Sequence, residues 1–411
     1  MALTKIIGEG IDGGTISTKT AGTGNLILGS TAGDSIASGG DNNTCVGRNA
    51  GTAITTGVQN ILIGGLAGDA LTDADYNVAI GYGALSSDTQ GSNSVAIGRF
   101  ALVSQNFTSA TNSQNTAVGY NSGNAVTTGT KNTFVGAEAG DGTDDGASNV
   151  AVGYLALSGN CGDDNVAIGE SALEVTTAGG NVAIGVNAGK AVAGGEGNVI
   201  IGVNAGDAIT SGQDNVIIGR LAGTYQANLT TSNGNVLIGP YNDSTDGTTA
   251  YAHGLGYNLD CAPGYTTFGL GGDDIRAAHG NTSWATVSDE RYKKDIVDST
   301  AGLSFINALK PRTFKYKNLG ELPETFKAYK ANSTDVYKNS NTNHGFIAQE
   351  VKTAIDADSS IKDGFKLWDD RPDGSQEVAE AALIPVLTKA VQELSTALDA
   401  AVARIKKLED G

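Results

Sequence analysis

Proline is scarce in this chain, six residues in 411, and methionine and tryptophan are scarcer still at one and two. With so little proline, the 59 glycines do not belong to a collagen triple helix, which needs glycine at every third position and abundant proline. Cysteine is also rare. Cys45, Cys161 and Cys261 form an odd, scattered set, which excludes a fold held by disulfides. No apolar run approaches the roughly 18 residues of a membrane span, and the opening MALTKIIGEGIDGG lacks the basic-then-apolar pattern of a secretory signal. Basic residues are few over positions 1–287, 8 against 24 acidic ones. Such a surface repels polyphosphates, so nucleic acid is excluded as a partner and membrane insertion is not expected.

What is present is glycine, and it is unevenly placed. Positions 1–287 hold 53 of the 59, and positions 288–411 are nearly balanced in charge, with 18 basic and 20 acidic residues. Two compositions imply two folds. The first carries a repeat: NLILGSTAG from Asn25, NTCVGRNAG from Asn43, NILIGGLAG from Asn60, and so on to NVLIGPYND from Asn235, with Ser94 replacing asparagine once. The glycines that close the apolar triplets run from Gly29 to Gly239 at steps of 16 to 18, broken by longer steps before Gly119 and Gly239. Three apolar, often β-branched residues suit one short buried strand. Glycine permits positive φ where the chain then turns. One unit cannot bury its apolar side alone, but stacked copies share a core, at about 4.8 Å per rung and roughly 60 Å in all. The two long steps predict loops bulging from the shaft.

From position 288 the text changes to SDERYKKDIVDSTAGLSFINALKPRTFKYKN, followed by HGFIAQEVKTAI from His344. The end reads as a long helix, 376–409. Its apolar positions Ile384, Leu387, Val391, Leu394, Leu398, Ala401, Ile405 and Leu408 alternate by three and four. That is a coiled-coil seam, and a seam needs partner strands.

Two resemblances follow. The NVAIG-x-x-A unit over 25–240 resembles the head repeat of trimeric bacterial adhesins and repeats of bacteriophage tail fibres. Residues 288–411 resemble the intramolecular chaperone domain of phage tail fibres and tailspikes, on Ser288-Asp289-Glu290-Arg291-Tyr292-Lys293, on His344-Gly345-Phe346-Ile347-Ala348-Gln349-Glu350-Val351, and on the LIPVLTKAVQEL helix. The implied fold is mainly β: a trimeric β-roll or β-solenoid stem, then a small α+β chaperone domain ending in a coiled-coil helix. The implied organisation is an N-terminal virion-attachment segment (1–24), the stem (25–240), a distal tip (241–287) and the chaperone (288–411).

The same resemblance implies that the chaperone drives trimerisation and is then released by cutting Val287–Ser288, with Ser288 as nucleophile and Lys293 as base. Lys294 is a rival for that role. Asp289, Arg291, His344, Gln349 and Glu350 are implied to fix geometry or trimer contacts. A lysine serves as base only when burial or neighbouring cations depress its pKa. Cutting there makes 241–287 the free tip of a fibre. Its Tyr251, Tyr257, Tyr265 and Trp284 are candidates for contact with a host cell-surface receptor, glycan or protein, because aromatic faces stack on sugars and suit adaptable surfaces.

The N-terminus is expected to join a virion tail or baseplate protein, with assembly in the bacterial cytoplasm. A glycan-degrading tailspike and a cellular trimeric adhesin are the alternatives. No cofactor or metal is expected. Gly8-x-Gly10-x-x-Gly13 follows no useful strand, DGTDDG (Asp141 to Gly146) lacks the closing acid of a calcium loop, and the three histidines and three cysteines show no ligand spacing.

Overall fold

The computed structural model describes residues 16–17, 20–226, 228–248, 250–281, 283–286, 288–359, 361 and 365–410. The expected attachment segment (1–24) and the glycine triad at 8–13 fall largely or wholly outside these residues, as does Val287. The chain divides into two compact units, after Ser288.

The first unit is a β-solenoid. Each triplet is a three-residue strand, beginning with Leu26–Leu28, Thr44–Val46 and Ile61–Ile63 and reaching Val236–Ile238. Every strand pairs in parallel and in register with the next copy, so that Val182 stands beside Val199 and Ile184 beside Ile201. Only the central residue of each triplet is buried; the two flanking it point outward and are half-exposed. The triplet therefore differs from a fully buried strand for a simple reason: successive side chains of a strand face opposite sides. The outward residues are nonetheless valine and isoleucine along most of the stem.

The stack also continues past 240, the expected end of the stem. His253–Tyr257 pairs in parallel with Val236–Ile238, and Tyr265–Leu270 pairs with it in turn. The apolar triplet is lost there, but Gly256 keeps the 17-residue step from Gly239, and Ala252 donates its backbone N–H to Asn235 Oδ1 (2.9 Å), as an asparagine at that place does. Antiparallel strands close both ends of the sheet: Ile16–Ser17 on the first rung, and Asp273–Ala278 with Ala285–Thr286 on the last. Edges covered in this way do not template further pairing.

A buried asparagine ladder locks the rungs. The side-chain oxygen of each ladder asparagine accepts the backbone N–H of the next, at 2.9 Å from Asn60 to Asn43 and from Asn132 to Asn115. Its amide group donates to a carbonyl of the returning turn, as Asn60 does to Ala74 and Asn132 to Gly146 (both 2.8 Å). The second contact places Gly146, and so the DGTDDG run, in an ordinary rung turn. Each hydrogen bond is worth about 1 kcal/mol net, and an orphaned buried partner costs more.

Ser94 is too short to continue the ladder, and the insertion before Gly119 repairs the break. Buried Gln105 donates to Asp88 Oδ2 (2.6 Å) and to Ser94 Oγ (3.0 Å), and its oxygen receives Asn115 Nδ2 (2.9 Å). The insertion is thus tied into the core as well as bulging from it.

Size is balanced within each coil. Where the strand centre is large (Ile27, Leu62, Phe134, Ile200), the residue six places on is glycine (Gly33, Gly68, Gly140, Gly206). Where the centre is alanine (Ala79, Ala96, Ala151, Ala167), that residue is leucine (Leu85, Leu102, Leu157, Leu173). The two positions face each other: a methyl built on Gly68 would lie 2.8 Å from Leu62, and one on Gly140 would lie 2.5 Å from Phe134. Ala117 and Ala183 keep glycine, and there adjacent coils fill the space: a methyl built on Gly123 would lie 2.9 Å from both Leu102 and Phe134. Ala167→Leu alone is expected to destabilise the stem by about 1–3 kcal/mol through overpacking, and adding Leu173→Gly to recover most of it. Denaturant melts of both single variants and the double variant measure the coupling; purely additive effects would contradict the pairing.

The second unit is small and α+β. Helices α1 (Leu303–Ala308), α2 (Ala348–Ala357) and α3 (Leu383–Glu409) meet around Phe305, Leu309, Val351, Ile355, Leu383 and Val386. The terminal helix begins at Leu383, not at 376. Gln376–Val378 is a strand paired with Trp368–Asp370, because the chain reverses between them, where the Asp373 carboxylate accepts both the backbone N–H and the hydroxyl of Ser375.

Candidate functional site

Ser288 and Lys293 flank a single 3-10 turn, Glu290–Tyr292. Asp289 caps it: its Oδ1 accepts the backbone N–H of Arg291 (2.8 Å), and its carboxylate also holds that arginine's guanidinium (Nη2–Oδ2 2.6 Å). The Arg291 hydrogen bonds keep the Asp289 carboxyl below its ordinary pKa. Lys293 closes the turn, its backbone N–H donating to Glu290 O (2.9 Å). Sequence spacing thus becomes a local geometry in which serine and lysine stand on either side of a clamped turn.

Of residues 288–300 only Asp289 is better than exposed. The apolar members share that exposure, with Tyr292 at 83 %, Ile296 at 67 % and Val297 at 85 %. Lys293 and Lys294 are equally open to solvent.

The other motif residues gather elsewhere in this unit. Arg312–Phe314 pairs antiparallel with Asn343–Gly345, placing His344 opposite Thr313. Glu350, in the first turn of α2, receives both arms of Arg312, Nε at 2.9 Å and Nη2 at 2.6 Å. Arg312 holds the Glu350 carboxyl below its usual pKa. Through Arg312, Glu350 ties the helix to the strand pair, while His344 and Gln349 are exposed.

Two residues that sequence reading passed over complete this frame. One is Arg312 itself. The other is Glu393 of α3, whose Oε2 accepts the Leu303 backbone N–H (2.8 Å) and so caps α1. The clue was Gly302, where any side chain would collide with that carboxylate, since a methyl would lie 2.6 Å from Oε2.

The seam residues of α3 point away from this core. Ile384, Leu387, Val391, Leu394, Leu398, Ile405 and Leu408 are all exposed, Leu398 at 64 %. In the first unit, Tyr251, Tyr257 and Trp284 are exposed and Tyr265 is half-buried. Arg276 lies over the Tyr265 ring at 5.2 Å, and Trp284 packs 5.3 Å from Phe268. Among the described residues no three His, Cys, Asp or Glu side chains cluster as a metal site, and no helix is long and apolar enough to cross a membrane.

Residues 288–358 match the family described as the chaperone of endosialidase. The match starts at Ser288, where the chain divides into its two units, and it includes the clamped turn, the strand pair with His344, and α2. No curated protein and no solved structure matches the chain. A chaperone-like region thus follows a β-solenoid, and α3 lies beyond the matched stretch.

Proposed function

We propose that the chain is a trimeric phage tail fibre whose C-terminal unit assembles the trimer and is then removed by self-cleavage. The observation that carries the reading is the exposed heptad seam of α3, directly behind a segment similar to a known chaperone. Seven large apolar residues in water are favourable only when partner helices cover them. The outward valines and isoleucines of the stem support the same reading, since three copies packed side by side bury them. In this scheme the N-terminus joins the virion tail or baseplate in the bacterial cytoplasm, and Tyr251, Tyr257, Tyr265 and Trp284 belong to a tip that meets a host surface receptor.

Release is a single-turnover reaction. Ser288 Oγ attacks the Val287 carbonyl carbon while the Lys293 amine takes the hydroxyl proton. The C–N bond breaks, the proton passes to the departing Ser288 nitrogen, and an ester remains. Water then hydrolyses the ester to the Val287 carboxylate and restores the serine hydroxyl. One water is consumed and no cofactor is needed.

The chaperone role is tested by producing residues 1–287 alone. This fragment is expected to accumulate unassembled or aggregated, while the full chain yields soluble trimers. A fragment that trimerises unaided would overturn the role.

A further inference from the structure

We infer that the long coil starting at Gly219 builds a saccharide site on the side of the stem: a shelf of Tyr225, Tyr241 and Tyr257 with Arg220 against it, fitted to a sugar residue that carries a carboxylate. The inference deepens the receptor reading by giving the ligand a chemical class and a place on the stem. Of the four residues named there, only Tyr257 takes part.

The extra residues of this coil make the shelf. In coils of regular length the turn closes over three positions, with Ile209 N–H donating to Gly206 O (3.1 Å) and Val192 N–H to Gly189 O (3.0 Å); here Leu229 N–H reaches Gly223 O (3.0 Å) across six. Where those coils place Ala208 and Ala191, the lengthened turn places Tyr225. The turn is tied on both sides. Thr224 Oγ1 donates to Asn204 O (2.9 Å), and Gln226 N–H donates to the carboxylate of buried Asp243 (2.6 Å). The Tyr225 ring centre therefore stands 4.8 Å from that of Tyr241, which stands 5.5 Å from that of Tyr257 on the following coil, each pair edge to face. Tyr225 and Tyr257 are about half exposed. Such rings are amphipathic and lose little freedom when ordered, which favours tyrosine at recognition surfaces.

Charge sets the ligand. Three of the stem's four arginines, Arg48, Arg99 and Arg220, directly follow a closing glycine, and the two long steps begin at two of them, Gly98-Arg99 and Gly219-Arg220. Those two lie over aromatic rings, Arg99 over Phe100 (4.4 Å) and Arg220 over Tyr241 (5.3 Å). Arg220 is exposed, and among the described residues no carboxylate pairs with it. A guanidinium laid on a ring keeps its N–H edge for a planar anion, and a carboxylate takes two of those N–H groups at once. Acidic residues elsewhere on the stem repel an anion. A sugar chain is thus held where its carboxylate meets Arg220 and its ring faces meet tyrosine.

Immobilised oligosaccharides of glucuronate and galacturonate, each beside its carboxyl-reduced neutral form, test this with the full-length chain. The acidic forms should bind about tenfold tighter than the neutral ones, and Arg220→Ala should remove that preference, the loss expected of a charge-assisted pair. Tyr225→Ala should weaken binding several-fold while circular dichroism and the mass by light scattering match the unsubstituted chain; a changed mass would make Tyr225 a subunit contact and overturn the shelf. Arg48→Ala, which follows a closing glycine in a coil of regular length, should bind as before. Absence of binding to both acidic forms, or equal losses at Arg48 and Arg220, would overturn the inference. Binding that is lost with Trp284→Ala but kept with Arg220→Ala would overturn it and leave the receptor reading in place.

Discussion

Gly185→Ala is expected to open the stem around one rung and to cost roughly 2–6 kcal/mol, the sum of a strained backbone and an overpacked contact. Gly185 has φ +134, a conformation L-residues rarely adopt. An added methyl would also lie 2.6 Å from the carbonyl oxygen of Gly202 on the next rung. That oxygen cannot retreat, because the flanking residues Ile184 and Ile201 are held in register. The defect repeats the full length of the stem in principle, since the other strand-ending glycines stand equally close to their successors. In a solenoid, stability is a sum of rung and neighbour terms, so the damage should be local. Hydrogen exchange is expected to rise over 182–202 while distant rungs stay protected. Gly194→Ala is the control: a methyl there meets nothing within 4 Å, and the change should stay within about 0.5 kcal/mol. Equal effects at Gly185 and Gly194 would contradict the rung geometry.

The second large effect belongs to α3. Leu394→Asp with Leu398→Asp is expected to convert the trimer to monomers and to abolish release of the C-terminal unit. Both side chains are more than half exposed in the single chain, so the unit's own core around Phe305, Val351 and Leu383 is untouched and its circular dichroism should persist. In the assembly each leucine removes apolar surface worth about 1–2 kcal/mol per copy, and aspartates facing one another across the seam add repulsion. Light scattering on the uncut Ser288→Ala background should read one chain mass with these substitutions and three without them. An unchanged trimer would show that the seam is not the assembly surface.

The stem was legible because its rule is local and repeated. Asparagine, an apolar triplet and a closing glycine each have one backbone reason to be there, and the copies reinforce one another. The outward direction of residues such as Ile184 follows from strand geometry, yet an all-apolar triplet conceals it. The stem's continuation to Leu270 was hidden because the triplet disappears while Gly256 alone keeps the step. The terminal seam was plain from its spacing, but the helix start was set seven residues too early, since Gln376–Val378 forms a short hairpin with Trp368–Asp370, a pairing that helical spacing does not reveal.

At the candidate site, Ser288, Asp289, Arg291 and Lys293 are sequence neighbours, so their shared turn could be anticipated. Arg312 with Glu350, and Glu393 with Leu303, are contacts across 38 and 90 positions, and only the tertiary fold brings them together. In the proposed trimer the partners of the exposed seam lie on other copies, beyond what one chain's sequence displays.

The most direct test is the intact mass of the purified protein beside that of a Ser288→Ala variant, each measured under denaturing conditions. The native sample should contain a chain ending at Val287 and a separate fragment beginning at Ser288, and the variant should contain only the full-length chain. A native chain found whole, or a variant cut at the same bond, would contradict the removable chaperone at the centre of this account.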